Sequence, residues 1–290
     1  MRKFLILLSL LFVSCASVKV PKYTVEYNSK TTVKIIQISD FHSNDFGKNE
    51  EKLISKIRDA QPDVIFITGD LFEYRFGEKG IENVKKLLAG LQDLCPFYFV
   101  SGNHEYYYGH ENEYAYLIEE FGGIILSNNV ASLNINGIDF VIAGMEDSIF
   151  FVSPEERKKD AKNDEAFLLK LKEVSKTAAE TPGDFYILLA HRPEYINEYK
   201  ADGVYDLILS GHAHGGQWRL PPFINGLYAP GQGFFPKYAG GRYDFNDEKK
   251  SSTFIVSRGL SHQEPFFPRF FNSLELVEII VQPVDLVETE

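Results

Sequence analysis

The chain predicts an α/β fold, and three observations carry that prediction. Apolar runs rich in Val, Ile, Phe and Leu recur at 33–39, 63–68, 97–100, 185–190 and 207–210. Between the early runs lie windows whose apolar residues are spaced three and four apart, the period of an amphipathic helix. Finally, the runs end on polar residues in a fixed order: Asp40, Asp70, Asn103, His191 and His212. In an open α/β sheet, the carboxyl ends of the strands are where ligand-binding groups collect.

The first stretch stands apart from that pattern. Arg2 and Lys3 precede an apolar segment, Phe4 to Val13, which is short of the about 20 residues a membrane-spanning helix needs. Its pattern is that of a signal peptide over residues 1–14. Phe12-Val13-Ser14-Cys15 resembles a lipobox, with small Ser14 before the cysteine. Cys15 is therefore a lipidation candidate and 15–32 a tether, leaving one domain over 33–290. Several acyl chains would hold the protein firmly where a single chain is marginal. An uncleaved N-terminal anchor is the alternative.

Val33 to Ser39 reads as the first strand, followed by a helix from Glu50 to Asp59 through Leu53, Ile54 and Ile57. Asp63 to Thr68 is the next strand, Ile81 to Leu91 the next helix, and Phe97 to Val100 the third strand. The intervals from Asp40 to Asp70 and from Asp70 to Asn103 are 30 and 33 positions, each the length of a strand–helix–strand crossover. A short helix is expected over Glu111–Glu120. The middle then turns to short strands at 124–126, 132–135 and 138–143, with Asn136-Gly137 as a hairpin turn. Val152 to Pro182 is helix-prone, with Leu168, Leu169 and Leu171 expected inward. Strands follow at 185–190, 207–210, 253–257 and 274–281, and 221–247 reads as a long surface loop.

Composition bounds the function. The formal charge is −11, and without Arg2 and Lys3 the chain carries 28 basic against 41 acidic residues. Such a balance argues against a nucleic-acid partner. With two cysteines in all, one of them Cys15, there is neither a disulfide framework nor a thiolate metal site. Cys95 reads as a core thiol.

The polar residues at the strand ends make a metal-binding vocabulary. Asp40/His42 and His212/His214 are pairs two apart, which point the same way on an extended chain. Asp70 after Gly69 is the natural bridging carboxylate, Asn103 offers a carbonyl oxygen and His191 an imidazole. Burying two imidazoles at Gly211-His212-Ala213-His214 requires partners for four ring nitrogens. Asp, Asn and His without thiolate suit Mn, Fe or Zn. Two such ions about 3.5–4 Å apart clamp a transferring phosphoryl group and lower the pKa of bound water from about 15.7 toward 7.

The ordered set Asp40-X-His42, Gly69-Asp70, Gly102-Asn103-His104-Glu105, His191 and Gly211-His212-X-His214 resembles the calcineurin-like metallophosphoesterases over about residues 33–281. Ser210 to Gln217 and Val256-Ser257-Arg258-Gly259-Leu260 are similar to a branch of membrane-anchored bacterial phosphodiesterases, among them UDP-2,3-diacylglucosamine hydrolases of lipid A synthesis. The resemblance implies an α/β/β/α sandwich of two mixed sheets. It implies that Asp40, His42, Asp70 and His214 bind one divalent ion, that Asp70, Asn103, His191 and His212 bind a second, and that His104 beside them is catalytic, stabilising the transition state or protonating the leaving oxygen. Glu73 stands where the family often has Asp as partner of that acid, and where purple acid phosphatases have a ligating Tyr.

Other residues carry two readings each. Arg192 either neutralises a phosphate oxygen or is a surface charge, and Asp147 either overlooks the cleft or serves a turn. Tyr106, Tyr107 and Tyr108 line a pocket or pack in a buried turn, while His110 and His262 are not ligands. Trp218 and the aromatics at 234, 235, 238, 266, 267, 270 and 271 form an apolar wall near the site or cover sheet edges. The expected function is hydrolysis of a phosphodiester or diphosphate by two divalent ions, on a substrate linked to lipid or cell envelope. The alternatives are a nucleotide-lipid hydrolase, a phosphomonoesterase, or a non-catalytic envelope-binding lipoprotein. A processed Cys15 would place the protein in the bacterial envelope, facing away from the cytoplasm.

Overall fold

The computed structural model describes residues 17–107, 111–157, 163–261 and 268–284. Residues 1–14 and Cys15 lie outside them, as do Tyr108, His110, His262, Phe266 and Phe267. Numbered along the chain, the first six-stranded sheet runs β1 (Lys22–Tyr27), β14 (Val277–Pro283), β2 (Val33–Ile38), β3 (Val64–Thr68), β4 (Phe97–Val100), β5 (Ile124–Ile125). The second runs β12 (Gly241–Asn246), β13 (Ser251–Val256), β9 (Leu207–Ser210), β8 (Phe185–Leu189), β7 (Ile138–Gly144), β6 (Asn129–Ile135). Both are mixed: β2 to β5 run parallel with β14 antiparallel to β2, and β7, β8, β9 and β13 run parallel between antiparallel β6 and β12.

Successive residues of a strand face opposite sides, and here both sides are apolar. Ile36, Ile38, Ile65, Ile67, Phe97 and Phe99 pack outward with Leu53 and Ile57 of α1 (Glu51–Ala60) and Val84, Leu87 and Leu88 of α2 (Gly77–Leu91). Their neighbours Ile35, Val64, Phe66 and Tyr98 meet Ile142, Ile187, Leu189, Leu209 and Ile255 of the second sheet. That sheet's far face, including Val141, Leu188, Ile208 and Val256, packs with Phe167, Leu171 and Val174 of a helix at Asp164–Glu180. Strands covered on both faces read as continuous apolar runs, which is why the runs stood out in the sequence. The architecture is an α/β/β/α sandwich.

Three expectations need correction. The tether does not extend to residue 32: β1 pairs in parallel with β14 from Lys22 through Tyr27. Tyr23, Val25 and Tyr27 pack on the inter-sheet core while Lys22 pairs with Glu278 at the surface. The stretch 221–247 is not loop throughout, since Tyr228–Ala229 (β10) and Gly233–Phe234 (β11) form a ribbon and β12 closes the second sheet as an edge strand. Leu169 points to solvent, 59% exposed, and Phe167 takes the inward position instead. Cys95 is half-buried, and burial followed by the Asp63 charge pushes its thiol up to about 11. Among the described residues no helix is long and apolar enough to cross a membrane.

Candidate metal centre

The parallel strands of both sheets end at one edge of the sandwich, and the seven candidate ligands gather there. Asp40, His42, Asp70 and Asn103 follow β2, β3 and β4, while His191, His212 and His214 follow β8 and β9. Every one of them is buried, none more than 5% exposed. Ligand atoms of Asp40, His42, Asp70 and His214 lie within 4.8 Å of one another, and those of Asp70, His191 and His212 form a second such group. Asp70 belongs to both.

The donor atoms fit a pair of cations. Thr68 carbonyl oxygen lies 2.8 Å from His191 Nδ1; a carbonyl only accepts, so Nδ1 carries a proton and Nε2 is the nitrogen left for the groups in the cleft. That Nε2 lies 3.1 Å from Asp70 Oδ2 and 3.1 Å from His212 Nδ1. His42 Nε2 approaches the same Asp70 oxygen at 3.5 Å. Asp70 Oδ2 and Asn103 Oδ1 are buried without a hydrogen bond. Lone pairs crowded in a buried pocket repel one another unless positive charge sits among them. Burial opposes a proton on His191, yet Asp70 raises its pKa to about 10, a measure of the local demand for a cation. At His212 burial, Arg192 and His191 all act the other way and hold the imidazole well below its usual range.

The loops are bent hard to achieve this. Asp40, His42, Asp70, His212 and His214 all have positive φ, between 46° and 64°. A non-glycine residue there is strained by about 1–3 kcal/mol, and such strain clusters at functional sites. Glycine is required where the loops touch: at Gly69, φ +88°, a Cβ would lie 2.6 Å from both His191 Nδ1 and the Gly102 nitrogen. One carboxylate grips the first sheet's loops. Glu105 is fully buried and accepts from the backbone N–H groups of Asp70 (3.0 Å), Leu71 (2.9 Å), Phe72 (3.1 Å) and Gly102 (2.6 Å). Burial and the Asp70 charge lift its carboxyl to about 7 against the pull of those amides.

Beside the candidate ligands, His104 Nδ1 lies 3.1 Å from Glu73 Oε2, a contact bent away from hydrogen-bond geometry. Glu73 therefore reaches His104 despite its longer side chain, and it also meets Arg75 and lies 3.8 Å from His42 Nδ1. Burial pushes the Glu73 carboxyl up, but its close approach to His104, His42 and Arg75 overcomes that and holds it far below the carboxylate range. The His104 backbone N–H donates to Asp70 Oδ1 at 2.8 Å, which sets the His104 loop against Asp70.

Arg192 is no surface charge: it is 2% exposed and its Nε donates to both oxygens of Asp147, at 3.0 and 2.7 Å. Its Nη1 lies 3.4 Å from His212 Nε2, so it orients that imidazole from behind. Asp147 also caps the turn at Ile149 N–H, 3.0 Å away, the turn role its position allowed. Tyr106 packs in a buried turn with its hydroxyl 3.1 Å from that of Tyr114, and the Tyr107 ring lies edge-on to His104 with centroids 5.1 Å apart.

Three contributors carried no assigned role in the sequence. Glu105 was visible only as the residue after His104. Ser39 Oγ donates to Asp40 Oδ2 at 2.6 Å, and Asn272 Nδ2 donates to the carbonyl of His214 at 2.7 Å. Ser39, adjacent to a ligand, could have been suspected; Asn272, 58 residues from His214, offered no signal.

Comparison with known proteins places the architecture. The calcineurin-like phosphoesterase family profile matches residues 33–216, more than half of the chain. An uncharacterized metallophosphoesterase of Campylobacter jejuni is 30% identical over 260 residues, covering 86% of this chain and 59% of that protein. A putative metallophosphoesterase of Caenorhabditis elegans is 27% identical over 270 residues, covering 91% of this chain and 51% of the relative. The chain thus spans little more than half the length of either. In fold, a solved structure from Thermus thermophilus superposes with TM-score 0.52 at 15% identity, over 80% of this chain and 92% of that one. A putative 5′-nucleotidase from Staphylococcus aureus does so with TM-score 0.52 at 12% identity, over 85% and 54%. The chain belongs to the calcineurin-like phosphoesterases, metal-dependent hydrolases of phosphoric esters.

Proposed function

We propose that this chain hydrolyses a phosphodiester or diphosphate bond with two divalent ions, at a membrane to which Cys15 anchors it. The observation that carries the reading is Asp70, common to both groups of ligand atoms and flanked by the His104–Glu73 pair. Asp40, His42, Asp70 and His214 would hold one ion, and Asp70, Asn103, His191 and His212 the other. Bound there, such ions supply Lewis-acid charge to a phosphoryl oxygen and acidify water from a pKa of about 15.7 toward 7.

The chain's own residues do the rest. Glu73 stays ionised and lies against His104 Nδ1, which would leave Nε2 as the nitrogen that protonates the leaving oxygen. Such acid–base help is worth about 10²–10⁴ in rate. Arg192 fixes the His212 ring plane, and the Thr68 carbonyl fixes His191. The preference for a diester or diphosphate rests on the similarity of residues 210–217 and 256–260 to the membrane-anchored phosphodiesterase branch. A nucleotide-lipid such as UDP-2,3-diacylglucosamine fits the same bond chemistry, provided the N-terminus stays as a cytoplasm-facing anchor.

The test is hydrolysis of bis-p-nitrophenyl phosphate beside the p-nitrophenyl monoester by full-chain protein, stripped of metal and titrated with Mn²⁺. The expected result is Mn²⁺-dependent turnover favouring the diester. A monoester preference would replace the reading with a phosphatase, and two bound ions with no turnover of either would favour a binding protein. Mass spectrometry of membrane-extracted protein tests the anchor: it should begin at acylated Cys15, and retention of Met1 would overturn that assignment.

A further inference from the structure

We infer that an exposed aromatic rim beside the metal centre seats this protein on a lipid bilayer, so that its cleft opens at headgroup level. The rim comprises Trp218, Leu220, Phe223, Phe234, Phe235 and Phe271, which are 44%, 49%, 83%, 66%, 68% and 44% exposed. Backbone and ring contacts join the segments that carry them. Trp218 pairs with Phe270, their ring centroids 5.8 Å apart, and Phe270 stacks edge-on against Phe271 at 4.5 Å. Leu227 N–H donates to the Trp218 carbonyl at 2.9 Å, and Phe235 N–H donates to the Leu227 carbonyl at 2.8 Å. Phe223 N–H closes the remaining turn onto the Leu220 carbonyl at 2.8 Å. An apolar patch of this kind on a folded surface marks a binding face.

The path of the N-terminus identifies the occupant. Lys19 N–H donates to the Leu274 carbonyl and Leu276 N–H to the Lys19 carbonyl, both at 2.9 Å, in parallel register with Glu275. Residue 17 therefore lies beside Ser273, two positions from Phe271. Cys15 precedes that point by two residues and the apolar segment Phe4–Val13 by four, within about 14 Å even for extended chain. An anchor candidate and an apolar surface distant from it in sequence thus fall at the same edge. Trp with Phe, interspersed with Arg219 and exposed Lys237, is the composition that sits at a bilayer interface. The net charge of −11 makes apolar insertion, and not attraction to anionic lipid, the main contribution.

The rim is tied to the ligand loop. Trp218 is four residues past His214, and Asn272 Nδ2 bonds the carbonyls of His214 and Gln217, at 2.7 and 3.2 Å. On the two-metal reading, a phosphate ester carried on a lipid would reach the ions without leaving the membrane.

Trp218 is the sole tryptophan, which gives a direct probe. Full-chain protein is reconstituted into phosphatidylcholine vesicles carrying bromine at acyl positions 6 and 7, and compared with unbrominated vesicles. Quenching of Trp218 emission by roughly twofold is expected, as for a face buried about 5–10 Å at the headgroup–acyl boundary. Equal emission in the two vesicles, from protein that floats with them, would overturn the proposal. If cross-linking then yields a dimer, a second copy covers the rim instead. The triple variant Phe223→Ser, Phe234→Ser, Phe235→Ser should lose the quenching while hydrolysing bis-p-nitrophenyl phosphate at the parent rate. Undiminished quenching in that variant would also refute it. Because quenching needs no turnover, its failure is separable from failure of the phosphoesterase reading.

Discussion

The first sheet's loops bring carboxylates and an amide to the cleft, Asp40, Asp70 and Asn103, with His42 as their imidazole; the second sheet's loops bring imidazoles alone, His191, His212 and His214. The two sets are also held differently. Glu105 locks the first sheet's loops through four backbone N–H groups. The second sheet's rings are aimed by side chains and by the first sheet itself: Arg192 behind His212, the Thr68 carbonyl on His191, and Asp40 accepting the His212 backbone N–H at 3.0 Å. Damage to the first sheet should dismantle the site, and damage to the second should detune it.

The sharpest break is Asp70→Ala, which removes the shared carboxylate. Metal content measured by plasma emission should fall to near zero and turnover to background. His104→Ala keeps every ligand, so metal content should hold while turnover drops about 10²–10⁴-fold; metal loss in that variant would refute its assigned role. Glu105→Gln leaves a single carbonyl oxygen where four amides need acceptors. With about two amides stranded at about 1–3 kcal/mol each, stability in urea should fall by roughly 2–6 kcal/mol, and metal affinity with it.

A smaller effect belongs to the second sheet. Arg192→Lys keeps the charge but loses the planar fork, so metal affinity should weaken about 10-fold, at the low end for residues behind a ligand; an unchanged titration isotherm would remove Arg192 from the site. The smallest effect lies behind the Asp40–His42 loop. Burial lifts the Glu50 carboxyl to about 7 although the Phe46 N–H, 2.8 Å from Oε2, opposes the rise. The folded state then holds this proton more tightly than the unfolded chain, so stability is greatest below the ordinary pKa of 4.5 and declines as pH rises through about 7. Glu50→Gln should raise the melting temperature at about pH 8, above that window, and leave it unchanged at about pH 4, below it.

What could be read from the sequence follows from the same physics. Strands covered on both faces announce themselves, and the candidate ligands sit where those strands stop, so the central sheets and the residues at their ends were visible together. Strand β1 was hidden because Lys22, Thr24 and Glu26 face outward between Tyr23, Val25 and Tyr27, and an edge strand needs only half its residues apolar. The Gly241–Asn246 strand was obscured by the same alternation within a stretch full of Gly and Pro. Glu105 escaped because its partners are backbone amides, which leave no mark in a sequence, and Arg192 because burial of a charge depends on Asp147, 45 residues away.

The left-handed backbone at five of the candidate ligands favours particular side chains there. Asp, Asn and His tolerate positive φ better than other non-glycine residues, and they are also oxygen and nitrogen donors. Glu at position 40 or 70 would keep the carboxylate but lose the short side chain suited to that turn. At these positions the backbone thus restricts the side chain independently of coordination.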